Sequence, residues 1–433
     1  MQLKDNYNIL SFLLIFLSFT SYFLGFYLDE NSSGGGGYFG DWQFAWPNIQ
    51  IFLNEDIFTA LNNENYASNR PPLLYILHKF NPFIETEIGY RRSVFVISLA
   101  IPILFYLCLK QKFKKVDNLL LLLIASTIFL SPYYRTSAYW GLEENYSFIS
   151  LLLSFLFLNH FLENKSENGY KIYLQLFFSI FFSSLCIYFD QKLLIIPIIC
   201  FLTIITSKKL NKLKILSTFF YLVLSLPFIY LIILWGAVAP GPVSLTNQLY
   251  LDHIGYTSTM IAFYLVPLFF FKEKKLFSLI KNSLLKKFNY FLILFFFIYL
   301  TYLFFFFDFS ELSSSINYPS TGKGLVNKLS FIFFDNYLIK KIFIYFSFFV
   351  SWIVIVVFIN KNFKDSLILL YFFVLLLFMK PIFQEYFDPL IILMVFTFFS
   401  SKLFISYKNT FILFLYSSIF LICCNIYYYN LLN

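Results

Sequence analysis

Long runs with few or no charged residues recur along the whole chain, and they constrain its fold more than any other feature. These runs cover residues 8–28, 91–109, 117–132, 144–162, 171–189, 193–206, 214–235, 254–271, 288–307, 341–359, 365–379, 386–400 and 409–429. A helix of this length crosses roughly 30 Å of hydrocarbon and satisfies its own backbone hydrogen bonds there. The sequence therefore predicts an all-α polytopic membrane protein, with about thirteen transmembrane helices in a single integral-membrane domain, residues 1–433.

The composition also excludes an ordinary soluble domain. Only 13% of the residues are charged and 59% are hydrophobic, whereas about a quarter of an average soluble domain is charged. All five cysteines fall inside apolar runs without CxxC or Cys/His spacing, so they predict neither a disulfide framework nor a metal site. The first apolar run lacks a small-residue cleavage site, and we interpret it as a retained helix rather than a signal peptide.

The lysines predict how the helices are oriented. If the N-terminus is cytoplasmic, the even-numbered connections and Lys4 lie inside and hold 21 of the 32 basic residues, in agreement with the positive-inside rule. The net charge of +9 then belongs to the cytoplasmic loops and indicates membrane lipids, not nucleic acid, as partners. We expect an integral protein of a bacterial inner membrane whose polar outer loops carry the active site.

The first outer loop, residues 29–90, opens with two adjacent carboxylates, Asp29 and Glu30, at the end of the first apolar run. Four glycines and then Asp41 follow. Residues 42–61 place several apolar side chains near one face of a helix, which predicts an interfacial amphipathic helix on the outer leaflet. These side chains are Phe44, Ile51, Phe52, Phe58 and Leu61.

All four arginines lie on the predicted outer side, although the chain otherwise uses lysine. Arg70 precedes Pro71-Pro72 and so stands just ahead of a predicted helix N-terminus, which favours anions. The planar guanidinium suits phosphate or carboxylate, so Arg70 and Arg135 are candidates for binding an anionic group. For Arg91 and Arg92 we favour the role of interfacial anchors. The turn Asp190-Gln191-Lys192 is either a simple ion pair or part of a site.

Taken together, these segments resemble the GT-C superfamily of integral-membrane glycosyltransferases, which take a sugar from a polyprenyl-phosphate carrier. The resemblance rests on about a dozen helices, an acidic pair closing the first one, a long first outer loop and three short segments. These segments are Pro71-Pro72-Leu73-Leu74-Tyr75, Ser131-Pro132 with Arg135 and Glu143-Glu144, and Glu385-Tyr386-Phe387-Asp388-Pro389. Many members have arginine before the tyrosine of the last segment, where this chain has Glu385. Two segments, residues 27–30 and residues 235–267, resemble more weakly the dolichyl-phosphoglucose-dependent α-1,2-glucosyltransferases.

The resemblance implies an inverting transfer to a glycan, lipid or protein acceptor, with a first-loop carboxylate as the general base. Asp29 is our choice, with Glu30 and Asp41 as supporting or alternative groups. Arg70, Arg135 and Lys192 are the candidates for the donor phosphate. Glu143, Glu144, Glu385 and Tyr386 are the candidates for substrate contacts. No metal site and no required cofactor are predicted, although a divalent cation assisting Asp41 stays open.

Three alternatives remain at this point. Asp29 and Glu30 would have no catalytic role if they only ended the first helix at the membrane surface. A transporter or flippase of lipid-linked sugars would also present polar outer loops, but it usually has internal repeats and ionisable groups at the midplane. A non-catalytic assembly subunit of the cell envelope is the third.

Overall fold

The structure is a computed structural model that describes residues 2–33, 37, 40–164, 169–241, 248–272, 286–307, 322–359, 363–400 and 402–432. Gly34, Gly35 and Gly36 of the glycine run lie outside the described residues. Within these ranges the chain is all-helical and contains no β-strand.

Residues 1–243 contain twelve of the described α-helices. They are α1 (Gln2–Tyr27), α2 (Asp41–Asn54), α3 (Ile57–Leu61), α4 (Leu73–Lys79), α5 (Glu87–Ser98), α6 (Ala100–Lys112), α7 (Asn118–Ser126), α8 (Pro132–Tyr139), α9 (Glu144–Glu163), α10 (Tyr170–Phe189), α11 (Ile195–Ile205) and α12 (Asn211–Trp235). Short 3₁₀ turns cover Thr127–Leu130 and Gln191–Leu194.

Residues 244–433 contain seven more described α-helices. They are α13 (Asp252–Leu265), α14 (Lys287–Phe306), α15 (Gly324–Phe333), α16 (Tyr337–Ile359), α17 (Phe363–Leu376), α18 (Leu390–Phe396) and α19 (Tyr407–Leu432). The 3₁₀ turns of this part cover Pro267–Phe271 and Gln384–Phe387.

Capping side chains explain where several helices begin. The hydroxyl of Ser131 accepts a hydrogen bond from the Tyr134 N–H at the start of α8, and Asp117 caps α7 through the Leu119 N–H. Each cap satisfies one of the N–H groups that have no partner within the helix. Pro72 directly precedes α4, as the Pro-Pro pair predicts.

In the described residues, eight helical segments are long and apolar enough to cross a membrane, and one of them, Glu87–Lys112, consists of α5 and α6 together. A ninth crossing results if Asn118–Leu130 and Pro132–Tyr139, bent by 65°, count as one span. The predicted number of thirteen is not confirmed in the described residues. Five of the predicted runs fall on this bent pair or on helices below 18 residues. These runs are 117–132, 193–206, 254–271, 365–379 and 386–400.

The predicted amphipathic helix corresponds to α2 and α3, but its membrane-facing side is not confirmed. The predicted apolar face is divided, since Phe52 and Leu61 are buried in the protein while Phe44 and Phe58 are exposed. The buried face of α2 also includes Trp42 and packs against α4. Tertiary contacts therefore take up part of the surface that periodicity assigned to lipid.

The chain groups into two compact units, Met1–Val243 and Ser244–Asn433. In the first unit, α9 packs against α6 and α10, and α1 packs against α7, the Thr127–Leu130 turn and α8. In the second unit, α13 packs against α15, α16, α17 and α18. The single domain predicted over residues 1–433 stays a prediction.

Candidate functional site

The end of α1 determines where Asp29 and Glu30 lie. The Glu30 N–H donates to the Gly25 carbonyl at 2.9 Å and the Asp29 N–H to the Phe26 carbonyl at 3.3 Å. This is the pattern of a Schellman motif, in which the residue just after the helix adopts the left-handed conformation. Asp29 is that residue, with φ of +51°. The motif places the two carboxylates directly after the helix, pointing in different directions.

Asp29 is the exposed member of the pair. Its side chain is 63% exposed, and its Oδ1 accepts a hydrogen bond from Arg91 Nη2 at 2.5 Å. Arg91 lies near the N-terminus of α5, and the Arg91 guanidinium lies over the Trp140 ring at 4.0 Å. The exposed carboxylate is thus held by an arginine that is itself packed against an aromatic ring.

Glu30 is the more buried member, with a side chain that is 13% exposed, and it pairs with Arg135. The Arg135 side chain is only 2% exposed, and it also donates to the carbonyls of Ser21 and Phe129 and to the Ser21 hydroxyl. A buried ion pair of this kind needs such additional hydrogen bonds. Arg135 therefore joins α8 to α1, and it offers almost no free surface to a donor phosphate.

A glycine makes room for this pair. A Cβ added to Gly25 in α1 would lie 2.5 Å from Arg135 Nη2, 2.5 Å from Glu30 Oε2 and 2.6 Å from the Tyr139 hydroxyl. Real Cβ atoms do not approach other atoms this closely, so the helix backbone itself forms one wall of the ion pair. Any larger residue at position 25 would displace the Arg135 guanidinium, the Glu30 carboxylate or the Tyr139 hydroxyl from these positions.

A second charged cluster surrounds Arg70. Its Nε lies 2.9 Å from Glu143 Oε1, its Nη2 lies 2.5 Å from Glu144 Oε1, and its Nη1 lies 3.5 Å from Asp190 Oδ2. Lys192 Nζ is 3.4 Å from the same Asp190 oxygen. Arg70, Lys192, Glu143 and Glu144, predicted separately from the sequence, therefore come together, and the Asp190-Gln191-Lys192 turn is part of this cluster.

The electrostatics of the second cluster are dominated by burial. Its three carboxylates outnumber its two cations, Arg70 and Lys192. Burial raises the pKa of Glu143 to about 8; the positive charge of Arg70 opposes this shift and the negative charge of Glu144 adds to it. Tyr133 donates a hydrogen bond to Glu144 at 2.6 Å. Glu143 is therefore the carboxyl group of this cluster whose pKa burial raises.

Helix α8 connects the two clusters. It contributes Arg135 to the first and Tyr133 to the second, and it is eight residues long, which corresponds to about 12 Å. Trp140, directly after α8, donates its indole N–H to the Glu30 carbonyl at 3.2 Å. Both clusters consequently lie along one short helix and the turns at its ends.

The remaining predicted residues lie elsewhere. Asp41 is the first residue of α2, where a carboxylate interacts favourably with the helix dipole. Glu385 and Tyr386 belong to the second unit, in the Gln384–Phe387 turn, and the Tyr386 hydroxyl donates to the Pro381 carbonyl at 3.4 Å. Among the described residues, no group of three or more His, Cys, Asp or Glu side chains is arranged to hold a metal ion.

Sequence reasoning missed Arg91, which it assigned to the membrane surface. The available signal was charge complementarity, because an acidic pair ends one span and an arginine pair begins the next on the same predicted side. For Asp190, the sequence left open whether its turn forms a simple ion pair or part of a site, and it did not indicate Arg70 as a partner. Neither partnership follows from spacing along the chain, since Asp29 and Arg91 are 62 residues apart.

No family model, no curated protein and no solved structure matches the chain.

Proposed function

We propose that the protein is an integral-membrane glycosyltransferase of the GT-C type, which moves a sugar from a polyprenyl-phosphate carrier to a glycan, lipid or protein acceptor. Asp29 is the general base of this proposal. The resemblance of the short segments supplies the reaction class, and the geometry at the end of α1 supplies the choice of base.

The observation that carries the proposal is that two adjacent acids differ in exposure and in their arginine partners. The Glu30 side chain is only 13% exposed and is paired with Arg135, whereas that of Asp29 is 63% exposed. Asp29 also occupies a left-handed backbone position that glycine takes at the ends of α8 and α12. An L-residue in this conformation costs roughly 1–2 kcal/mol. Unfavourable backbone conformations of this kind cluster at functional sites. Asp29 is therefore a better base than Glu30.

In the proposed reaction, the acceptor hydroxyl gives its proton to the Asp29 carboxylate while its oxygen attacks the anomeric carbon. The bond from that carbon to the phosphate oxygen breaks, and its electron pair leaves with the lipid phosphate. This scheme requires no cofactor. An assay with and without EDTA tests whether a divalent cation takes part.

For the departing phosphate we propose Arg70 and Lys192, whose side chains remain 21% and 13% exposed. Cationic groups next to the leaving phosphate stabilise the charge that develops on it. Their carboxylate partners would have to share them with the donor. We assign Arg135 to holding Glu30 instead. Glu143, Glu144, Glu385 and Tyr386 stay candidates for sugar contacts, and Asp41 stays an alternative base.

We place the site outside a bacterial inner membrane, with the N-terminus in the cytoplasm. In the first unit, both charged clusters use the C-terminal ends of α1 and α10, the N-terminal ends of α5 and α9, and α8. The lysine-rich connections 110–115, 165–171 and 208–214 belong to the opposite helix ends. This separation supports the proposed orientation through the positive-inside rule.

The test is sugar transfer by the purified protein in proteoliposomes, from a panel of polyprenyl-phosphate sugars. We expect Asp29→Asn to abolish transfer, because the amide cannot accept the proton and keeps nearly the same shape. Glu64→Gln, an exposed acid of the same loop, is the control and should retain activity. Near-normal transfer by Asp29→Asn would refute the assignment of the base. Movement of lipid-linked sugar across the bilayer without transfer would instead favour a flippase.

A further inference from the structure

Two neighbouring arginines at the start of α5 have different environments. Arg92 is exposed, whereas the Arg91 side chain is only 12% exposed and is held on three sides. Its Nε donates to the Tyr139 carbonyl at 2.8 Å, its guanidinium lies over Trp140, and its Nη2 reaches Asp29. An interfacial anchor requires none of these contacts.

The contacts of Arg91 fix its guanidinium before any substrate arrives. Stacking on an indole ring and a hydrogen bond to a backbone carbonyl hold both the plane and the direction of the fork. Tyr139 and Trp140 lie at the end of α8, so the arginine is held by the same helix that carries Arg135. Little rotamer freedom is left for Arg91 to lose when it binds Asp29.

Within the part of the chain that the structure describes, the hydrogen bond to the Asp29 side chain falls on Oδ1. The Asp29 side chain is 63% exposed, so Oδ2 is the oxygen left to an incoming hydroxyl. A hydrogen bond from a fixed guanidinium holds one carboxylate oxygen in place, which an exposed aspartate without a partner lacks. Arg91 therefore determines which Asp29 oxygen faces the solvent.

We propose that Arg91 is a positioning residue that holds Asp29 Oδ1 and thereby directs Oδ2 toward the acceptor hydroxyl. This role rests on the proposed function. Arg91 exchanges no proton and touches no substrate: the hydroxyl proton goes to Oδ2, and the electron pair of the broken bond leaves with the phosphate. The rigid support from Trp140 and the Tyr139 carbonyl is what makes the arginine an effective guide.

The kinetic test compares Arg91→Ala with Arg92→Ala, a matched loss of one arginine from the adjacent position. We expect Arg91→Ala to lower kcat by about 100-fold, the size of effect that a misplaced catalytic group produces, with the donor KM unchanged. Arg91→Lys should recover part of kcat, because it keeps the positive charge without the planar fork. Arg92→Ala should behave like the wild type. An unchanged kcat in Arg91→Ala, or an equal loss in both alanine variants, would overturn the proposal.

A second test does not depend on sugar transfer. Coupling of an amine to carboxyl groups by a water-soluble carbodiimide, followed by mass spectrometry, measures how accessible the Asp29 carboxylate is in the folded protein. We expect Asp29 to react several-fold faster in Arg91→Ala than in the wild type, and Arg92→Ala to leave its rate unchanged. Equal Asp29 rates in all three proteins would refute the contact itself.

The two tests separate the two hypotheses. If the wild type transfers no sugar from any donor while Arg91→Ala still alters the reactivity of Asp29, the glycosyltransferase proposal fails and the Arg91–Asp29 interaction stands as a structural contact without a positioning role. If transfer occurs and the labelling rates differ, but Arg91→Ala keeps its kcat, the positioning role alone is refuted. If Arg91→Ala does not fold, Arg91→Lys takes its place in both measurements.

Discussion

At the scale of single residues, Asp29 stands where the local backbone favours glycine. Helices α8 and α12 end with Gly141 and Gly236 in the left-handed conformation, with φ of +71° and +66°. Helix α1 ends in the same conformation with Asp29, at +51°. Glycine adopts this conformation without steric conflict, whereas aspartate does so at a moderate cost. Asp29 therefore occupies a helix end where glycine would be less strained.

The variant Asp29→Gly should affect thermal stability and sugar transfer differently. We expect Asp29→Gly to match or slightly exceed the wild-type thermal stability in detergent, since relief of the left-handed aspartate and loss of the Arg91 contact are both about 1 kcal/mol. Sugar transfer should be lost. Measuring unfolding and transfer on one preparation checks both statements. A marked loss of folded protein would show that Asp29 mainly holds the end of α1.

Glu143 is the residue whose protonation should affect stability. Burial raises its pKa from 4.5 to about 8. Between these two values the folded protein binds more protons than the unfolded chain, so stability must fall as the pH rises through this window. The contribution is complete below about pH 4.5 and is lost as the pH passes about 8.

We expect Glu143→Gln to reduce this pH dependence, because an amide does not titrate. Thermal unfolding of the wild type and the variant, measured from pH 5 to pH 9, gives the comparison, with Glu64→Gln as an exposed control. The wild type should lose stability relative to Glu143→Gln toward high pH. Parallel curves for the two proteins would contradict a raised pKa for Glu143.

At the scale of elements, α8 is the helix on which the first-unit clusters depend. Its start is marked in the sequence by Ser131-Pro132 and its end by Gly141, so its existence follows from local signals. The residues that α8 packs against do not follow from local signals. Gly25 leaves room for the Glu30–Arg135 pair, which joins α1 to α8.

Loss of one partner of this pair should affect folding more than donor binding. We expect Arg135→Met to destabilise the protein by about 3 kcal/mol, because Glu30, whose side chain is only 13% exposed, is left without its partner. The double variant with Glu30→Gln should be less destabilised than the sum of the single variants. Unfolding of all four proteins in detergent measures this coupling. Additive losses would argue against a direct pair, and normal stability with weakened donor binding would restore Arg135 to a phosphate site.

At the scale of the whole molecule, the apolar helices indicate an integral membrane protein, with eight or nine candidate crossings among the described residues. Composition and apolar runs predicted this class and the all-helical fold. The number of crossings was predicted less well, because an apolar run shows that a segment is buried without showing whether lipid or protein buries it. Helices α13 and α17 illustrate the difference, since they pack against each other and each is only 14 residues long.

The proposed orientation predicts which connections face outside. In a variant without native cysteines, Glu64→Cys should react with a membrane-impermeant maleimide in intact spheroplasts. Lys114→Cys, in the connection between α6 and α7, should react only after permeabilisation. Mass shifts or a fluorescent maleimide report both reactions. The reverse pattern would place the Asp29 site in the cytoplasm and exclude an outer-face reaction.

The sequence by itself determined the class of protein, the all-helical fold, many helix ends and the acidic end of α1. These features depend on apolar runs and on hydrogen bonds between residues a few positions apart, so they can be predicted from short stretches of sequence. Only the tertiary structure decided which acid is exposed, that Arg91 holds Asp29, and that Arg135 is buried beside Glu30. These contacts join residues 62 and 105 positions apart. They depend on how closely two helices approach, which no local pattern specifies.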